Sequence, residues 1–193
     1  IGNNKIGSVG KALPDTEVKI QEDGEILLRG DHVMKGYYND REATETTIID
    51  GWLHTGDLAK IDNEGYITII DRKKEIIVNS GGDNIAPVRP EAALTFQPII
   101  QQAMVSGDRR PYLVAIIVPD PELSSKLNED ELKKNISEAV NEANKGLSQI
   151  EKIRKYIVVS EPFSTDNGMF TATMKIRRHK VREAFGETLD ALY

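Results

Sequence analysis

Up to Asp71, apolar and polar positions alternate along the chain in the way expected of β-strands. Two pairs of short apolar segments are each separated by residues that favour tight turns, at 23–24 in the first pair and at 62–65 in the second. Each pair therefore predicts a β-hairpin. Between them, segment 40–47 predicts a short helix whose free N–H groups are capped by Asp40. The four strand segments are 18–20, 25–28, 58–61 and 66–70.

After Asp71 the pattern changes to a mixture of strands and helices. The apolar run 112–118, ended by Pro119, predicts a fully buried strand. Apolar residues at every fourth position, Leu132, Ile136 and Val140, predict an amphipathic helix. Further strands are predicted over 75–78 and 153–159, a helix over 90–96, and a final helix with an apolar face of Met174, Val181, Phe185, Leu189 and Leu192.

This organisation predicts an α+β fold in two parts: a small β-rich part, residues 1–71, and a compact α+β domain, residues 72–193. In the second part we expect a short antiparallel sheet flanked by helices. The polar, aperiodic segment 160–173 predicts a long loop that leads into the basic segment 175–182. Because ordering a long loop costs backbone entropy, such loops are more often functional than idle.

Composition narrows the function classes. The 193 residues are 39% hydrophobic and 29% charged, with no cysteine, which excludes disulfides and thiolate chemistry. We find no apolar run of about 20 residues that could span a bilayer and no signal sequence, so a cytoplasmic protein is expected. A net charge of −6 argues against nucleic-acid binding. Basic clusters at 72–74 and 175–182 indicate either a local phosphate site or a solvated face.

Several common motifs are absent from the sequence. It has no phosphate-binding P-loop, no dinucleotide fingerprint, no nucleophile elbow and no His-Glu-x-x-His. The three histidines, His32, His54 and His179, are too far apart for ligand spacing, so we expect no metal site. The sequence therefore gives no support for assigning the chain to the common hydrolases or oxidoreductases.

Segment 50–57 carries the clearest chemical signal. Two glycines followed by Asp57 predict a carboxylate on a tight turn just before a strand, where it could accept hydrogen bonds from a ribose diol. An aspartate that only caps its own turn is the alternative.

Several motifs in the same order resemble the adenylate-forming superfamily, which contains acyl-CoA synthetases, luciferases and the adenylation domains of peptide synthetases. The matching segments are 7–10 with Pro14, 24–30, 34–39, 51–57, 65–66 with 71–72, and Lys175. Segments 80–87 and 171–178 are similar to the long-chain fatty acyl-CoA synthetase branch. The chain departs from the common pattern at Asp71 and Asp83, and in having Thr-Met-Lys where Asn-Gly-Lys is commoner.

The resemblance implies a reaction and residue roles. Such enzymes use MgATP to convert a carboxylate to an acyl-adenylate and then pass the acyl group to coenzyme A. Asp57, assisted by Arg72, would bind the ribose hydroxyls, and Lys175 would reach the α-phosphate and the substrate carboxylate. A surface lysine that flanks the final helix is the alternative for Lys175.

The resemblance also implies motion. Lys74 would be the hinge, with residues 1–71 as the distal portion of the AMP-binding N-terminal domain and residues 72–193 as a mobile lid. Ser80, Gly81 and Gly82 would lie near the pantetheine arm of CoA, although a plain strand-to-loop turn explains these glycines equally well.

The family's phosphate loop and its magnesium-binding Tyr-Gly-x-Thr-Glu segment are absent from the sequence. We expect them to precede this chain, so that ATP and Mg²⁺ are bound mainly elsewhere and the chain alone is inactive. The resemblance implies a long-chain fatty acid as the substrate and leaves peripheral membrane association open. Two alternatives remain: an adenylation domain that loads a carrier protein, and a non-catalytic binding module of the same fold.

Overall fold

The computed structural model describes residues 5–193, and the chain divides into two compact units, Ile1–Ile76 and Ile77–Tyr193. Residues 1–4 of the predicted β-rich part lie outside the described residues. The division falls a few residues after the predicted boundary between 71 and 72. A lid that moves about this boundary stays a prediction.

The first unit is built around an antiparallel sheet in the order β1-β2-β4-β3, with β5 paired to β4. Both predicted hairpins are present, as β1 with β2 and β4 with β5. Asp40 caps α1, because its Oδ1 accepts the Ala43 N–H at 2.9 Å, as predicted. The elements are β1 (Glu17–Ile20), β2 (Glu25–Arg29), α1 (Arg41–Thr47), β3 (Ile48–Ile49), β4 (Trp52–Ile61), β5 (Ile67–Arg72) and a 3₁₀ turn (Lys73–Glu75).

The second unit contains a mixed sheet in the order β10-β9-β8, and a small antiparallel pair, β6 and β7. Strands β8 and β9 are antiparallel, whereas β10 runs parallel to β9, so the sheet is mixed rather than purely antiparallel as expected. The elements are β6 (Ile77–Val78), β7 (Asn84–Ile85), α2 (Val88–Thr95), β8 (Ile100–Ser106), β9 (Leu113–Pro119), α3 (Pro121–Ser124), α4 (Glu129–Lys145), β10 (Ile153–Val158) and α5 (Arg178–Asp190).

Strand β9 is the centre of the second unit, and each of its residues is buried. Alternate side chains of β9 enter two apolar clusters, one on each face of the sheet. Helix α4 contributes Ile136 and Val140 to the first cluster, and α5 contributes Val181 and Leu189 to the second. The predicted amphipathic helix, the buried strand and the α+β class are therefore confirmed.

Three local predictions need correction, and one strand was not predicted at all. Strand β8 was not predicted, because glutamines interrupt its apolar pattern. The strand expected over 75–78 is reduced to β6, since Glu75 belongs to the 3₁₀ turn. Helix α2 begins two residues before Pro90. Met174 is not on the face of α5: it precedes the helix, 66% exposed, in a turn with a positive φ of 60°.

Within residues 5–193, no helix is both long enough and apolar enough to cross a lipid bilayer.

Candidate active-site residues

Asp57 and Arg72 are register partners on the neighbouring strands β4 and β5. The Arg72 Nη1 donates a hydrogen bond to Asp57 Oδ1 at 2.8 Å, and the Asp57 side chain remains 29% exposed. Oδ2 of Asp57 accepts no hydrogen bond within the described part of the chain. The carboxylate thus keeps one oxygen available for a ligand hydroxyl.

The prediction that Asp57 lies on a turn before a strand is wrong, because β4 begins at Trp52 and runs through it. Gly56 takes a positive φ of 71°, and the pairing register shifts on either side of this segment. A bulge of this kind re-aims side chains without ending a strand. Asp57 is therefore positioned by a bulged strand, and its N–H donates to Thr55 Oγ1 at 3.1 Å.

A buried carboxylate that the sequence analysis did not identify lies beside this bulge. Glu25, 4% exposed, accepts the Gly56 N–H on Oε1 at 2.8 Å and the Lys73 ammonium on Oε2 at 2.9 Å. Lys73 also donates to Asp23 at 2.6 Å. The only feature of the sequence that could have indicated this role is that Glu25, an acidic residue, stands at the start of an apolar strand.

Electrostatics keep Glu25 and Lys73 charged. Burial raises the pKa of Glu25, but hydrogen bonds from Lys73 and the Gly56 N–H outweigh burial and hold that pKa below its usual value. Hydrogen bonds to Asp23 and Glu25 raise the pKa of Lys73. The bulge next to Asp57 and the segment before Lys74 are therefore held by the same ionised carboxylate.

Lys74, the predicted hinge residue, lies in the 3₁₀ turn that follows β5. Its side chain is exposed and forms no ion pair with the residues that the structure describes. Its role as a hinge stays a prediction.

Ser80, Gly81 and Gly82 form an exposed turn between β6 and β7. Asn79 orders this turn, because its Oδ1 accepts the N–H groups of Gly81 and Asp83, both at 2.9 Å. Gly82 has a φ of 85°, a left-handed conformation that favours glycine. The turn exposes its backbone and is hydrogen-bonded to Asn79, a supporting residue that the sequence analysis missed.

Lys175 lies in a short exposed turn whose ends are joined by a bridge between Phe170 and Ile176. The Thr171 N–H donates to the Lys175 carbonyl at 2.9 Å, and the Lys175 N–H donates to Thr171 Oγ1 at 3.1 Å. Within residues 5–193 no carboxylate lies within ion-pair distance of the Lys175 ammonium. The turn thus presents an unneutralised cation to solvent.

The structure brings Asp57 and Arg72 together in the first unit, and the Ser80 turn and Lys175 belong to the second unit. Across residues 5–193, no group of three or more histidine, aspartate or glutamate side chains is arranged to hold a metal ion. Asp57 and Arg72 suit a ribose, since a carboxylate accepts from hydroxyls and a guanidinium donates to oxygens.

Comparisons with known proteins identify relatives of the chain. The chain is 40% identical to a long-chain-fatty-acid–CoA ligase, FadD15, of Mycobacterium tuberculosis over 98% of its own length and 34% of the ligase. A solved adenylation domain of a carboxylate reductase from Mycobacterium chelonae superposes with a TM-score of 0.85 at 28% identity, covering 95% of this chain and 31% of that one.

A further similar structure is O-succinylbenzoate coenzyme A synthetase of Bacillus subtilis in complex with ATP and magnesium ion. It has a TM-score of 0.67 and 32% identity, covering 92% of this chain and 36% of the synthetase. The chain therefore spans about a third of the length of the relatives that it matches.

The fold is that of the C-terminal portion of adenylation domains. Residues 74–193 match the AMP-binding enzyme C-terminal domain, and the chain belongs to this family of AMP-binding enzymes.

Proposed function

We propose that the chain is the C-terminal part of an ATP-dependent long-chain fatty acid–CoA ligase. One observation carries the proposal: the family's C-terminal domain matches residues 74–193, and Lys175 stands exposed on a turn of that domain with no carboxylate partner among residues 5–193. The 40% identity to a long-chain-fatty-acid–CoA ligase supports the substrate class.

In the proposed reaction a fatty acid carboxylate oxygen attacks the α-phosphorus of ATP, and the bond from that phosphorus to pyrophosphate breaks. The CoA sulfur then attacks the acyl carbon and AMP leaves. Magnesium, when bound, neutralises phosphate charge, and we place its ligands outside this chain. The free oxygen of Asp57 accepts from the ribose hydroxyls, while Arg72 fixes the other oxygen.

Lys175 contributes a mobile positive charge. Two anions, the fatty acid carboxylate and the α-phosphate, must approach each other during adenylation, and an ammonium group between them offsets their repulsion. A lysine already paired with a carboxylate would serve this role poorly, which is why its unpaired state supports the proposal.

The proposal retains three predictions from sequence. Lys74 is the hinge about which residues 72–193 turn between the two half-reactions. The ordered turn at Ser80, Gly81 and Gly82 contacts the pantetheine arm of CoA. The location is the cytoplasm, with peripheral membrane association left open.

A second candidate is an adenylation domain that passes its acyl group to a carrier domain, and the similarity to the carboxylate reductase adenylation domain favours it. An assay with free CoA as the acyl acceptor distinguishes the two candidate functions. The full-length ligase forms acyl-CoA from it, whereas a carrier-loading domain leaves the acyl-adenylate unconsumed.

The test is Lys175→Ala in the full-length protein, with the two half-reactions assayed separately. We expect adenylation to fall by about 100- to 1000-fold, as when a single charge-stabilising donor is lost. Thioester formation from supplied acyl-adenylate should persist. Lys180→Ala is the matched control, because Lys180 is already paired with Glu183 at 2.7 Å. Equal loss of both half-reactions would contradict the proposal, and so would ATP–pyrophosphate exchange by the 193-residue chain alone.

A further inference from the structure

An ion pair joins the start of α5 to helix α2. Arg178, the first residue of α5, donates from Nη1 to Glu91 Oε1 at 2.7 Å and from Nη2 to Glu91 Oε2 at 2.8 Å. The two side chains are only 21% and 12% exposed. A two-pronged pair of this kind fixes orientation as well as distance, because the planar guanidinium matches the carboxylate.

Glu91 also holds the sheet. Its Oε1 accepts the Val105 N–H of β8 at 2.9 Å, so a single carboxylate ties together α2, β8 and α5. Arg178 is thereby attached to the packed core of the second unit. Lys175 lies three residues before Arg178, in the exposed turn.

The turn itself has little other support near Lys175. Its hydrogen bonds are local, between Thr171 and Lys175, and the N-cap residue of α5, Arg177, makes no side-chain capping bond. The Arg177 N–H does donate to the Met169 carbonyl at 2.7 Å, which joins the base of the turn to the preceding loop. The Glu91–Arg178 pair is therefore a rigid attachment immediately after the reactive lysine.

We propose that Glu91 and Arg178 are positioning residues that hold the Lys175 turn in the geometry needed for adenylation. This inference rests on the proposed function of Lys175. A group that neutralises charge between two reacting anions must be placed to within a fraction of an ångström, and a shift of about 1 Å can cost about 100-fold in rate.

The same helix supplies a matched control. Arg89 of α2 donates from Nη1 to both carboxylate oxygens of Glu151 at 3.0 Å, and Glu151 is buried. Glu151 also accepts from Ser148, so this pair fastens the segment after α4. Both pairs attach α2 to another segment through a carboxylate that is largely shielded from solvent, but only the Glu91–Arg178 pair adjoins Lys175.

The experiment uses the full-length protein with Glu91→Gln, Arg178→Lys and the control Glu151→Gln. For the first two variants we expect adenylation to slow by about 10- to 100-fold. The rate of thioester formation from supplied acyl-adenylate should stay within about twofold of the wild-type rate, because sites that do not interact affect each other little. Glu151→Gln should leave both half-reactions unchanged. Arg178→Lys keeps the positive charge but cannot make the two parallel hydrogen bonds of a guanidinium. It therefore tests the inference if Glu91→Gln fails to fold.

A double variant adds a decisive measurement. If Glu91 acts through Lys175, Glu91→Gln should slow adenylation no further in a Lys175→Ala background. Additive losses, equal losses in both half-reactions, or an unchanged adenylation rate would each overturn the inference. The two proposals fail separately: Lys175→Ala alone decides the proposed function, whereas normal adenylation in the Glu91 and Arg178 variants overturns only the positioning role.

Discussion

The ammonium of Lys73 lies 2.9 Å from Oε2 of Glu25, and the other oxygen of that carboxylate binds the N–H of Gly56. One buried charge thus supports both the bulge that carries Asp57 and the residue just before the proposed hinge, Lys74. Lys73 is also the first residue of the 3₁₀ turn, so the same ion pair holds the start of that turn.

Glu25→Ala should destabilise the first unit. The substitution leaves the Gly56 N–H without its acceptor and removes one of the two partners of Lys73, which is itself half-exposed and partly screened. We expect a loss of about 2 kcal/mol in the free energy of unfolding. Urea unfolding followed by the fluorescence of Trp52, the one tryptophan of the sequence, measures it. Glu45→Ala, in an exposed helical pair with Arg41, should shift the curve much less, and equal shifts would contradict the buried anchor.

Asp57→Asn should weaken recognition of the ribose in the full-length protein. The amide retains one acceptor oxygen but loses the charge that strengthens hydrogen bonds from hydroxyls. We expect kcat/KM for ATP to fall by about 10- to 100-fold.

Deoxy analogues of ATP provide the control for this prediction. The wild-type protein should discriminate against 2′-deoxy-ATP and 3′-deoxy-ATP, and the Asp57→Asn variant should discriminate much less. An unchanged preference in the variant would show that Asp57 does not contact the ribose.

Met174→Gly should stabilise the second unit, because Met174 adopts a φ of 60° while its side chain is 66% exposed. Glycine takes this conformation without a steric penalty, and little packing is lost. After allowing for the greater freedom of glycine in the unfolded chain, we expect a gain of about 0.5–1 kcal/mol. Calorimetric unfolding measures it. Thr173→Gly, at a neighbouring position without a positive φ, should destabilise the unit, and a loss in both variants would contradict strain at Met174.

Tyr193 should titrate at unusually high pH. Burial raises its pKa to about 12, and its hydroxyl donates to the Ser106 carbonyl at 3.2 Å. Because the folded state favours the neutral hydroxyl, this contribution to stability is complete below about pH 10 and is lost as pH rises towards 12. Ultraviolet titration of tyrosinate should show one late step that Tyr193→Phe removes. A late step that persists in this variant would assign the high pKa to another tyrosine.

Local patterns explain which elements the sequence could predict. The hairpins and α4 depend on turn residues and on apolar spacing that lie within a few positions of each other. Strand β8 was missed because Gln102 interrupts its apolar pattern, although that side chain has a clear role in the fold. It accepts the Phe163 N–H at 2.7 Å and donates to the Phe163 carbonyl at 3.1 Å. No local rule reveals a partner 61 residues away.

The sequence by itself determined the family, the α+β class and the candidate residues Asp57, Arg72 and Lys175, since these depend on residue types at fixed spacings. Tertiary structure alone decided that Glu25 is a buried anchor and that Arg178 joins Glu91. A carboxylate becomes an anchor only when a distant chain segment buries it and supplies its hydrogen-bond donors, and the energy of that arrangement depends on three-dimensional distance rather than sequence separation.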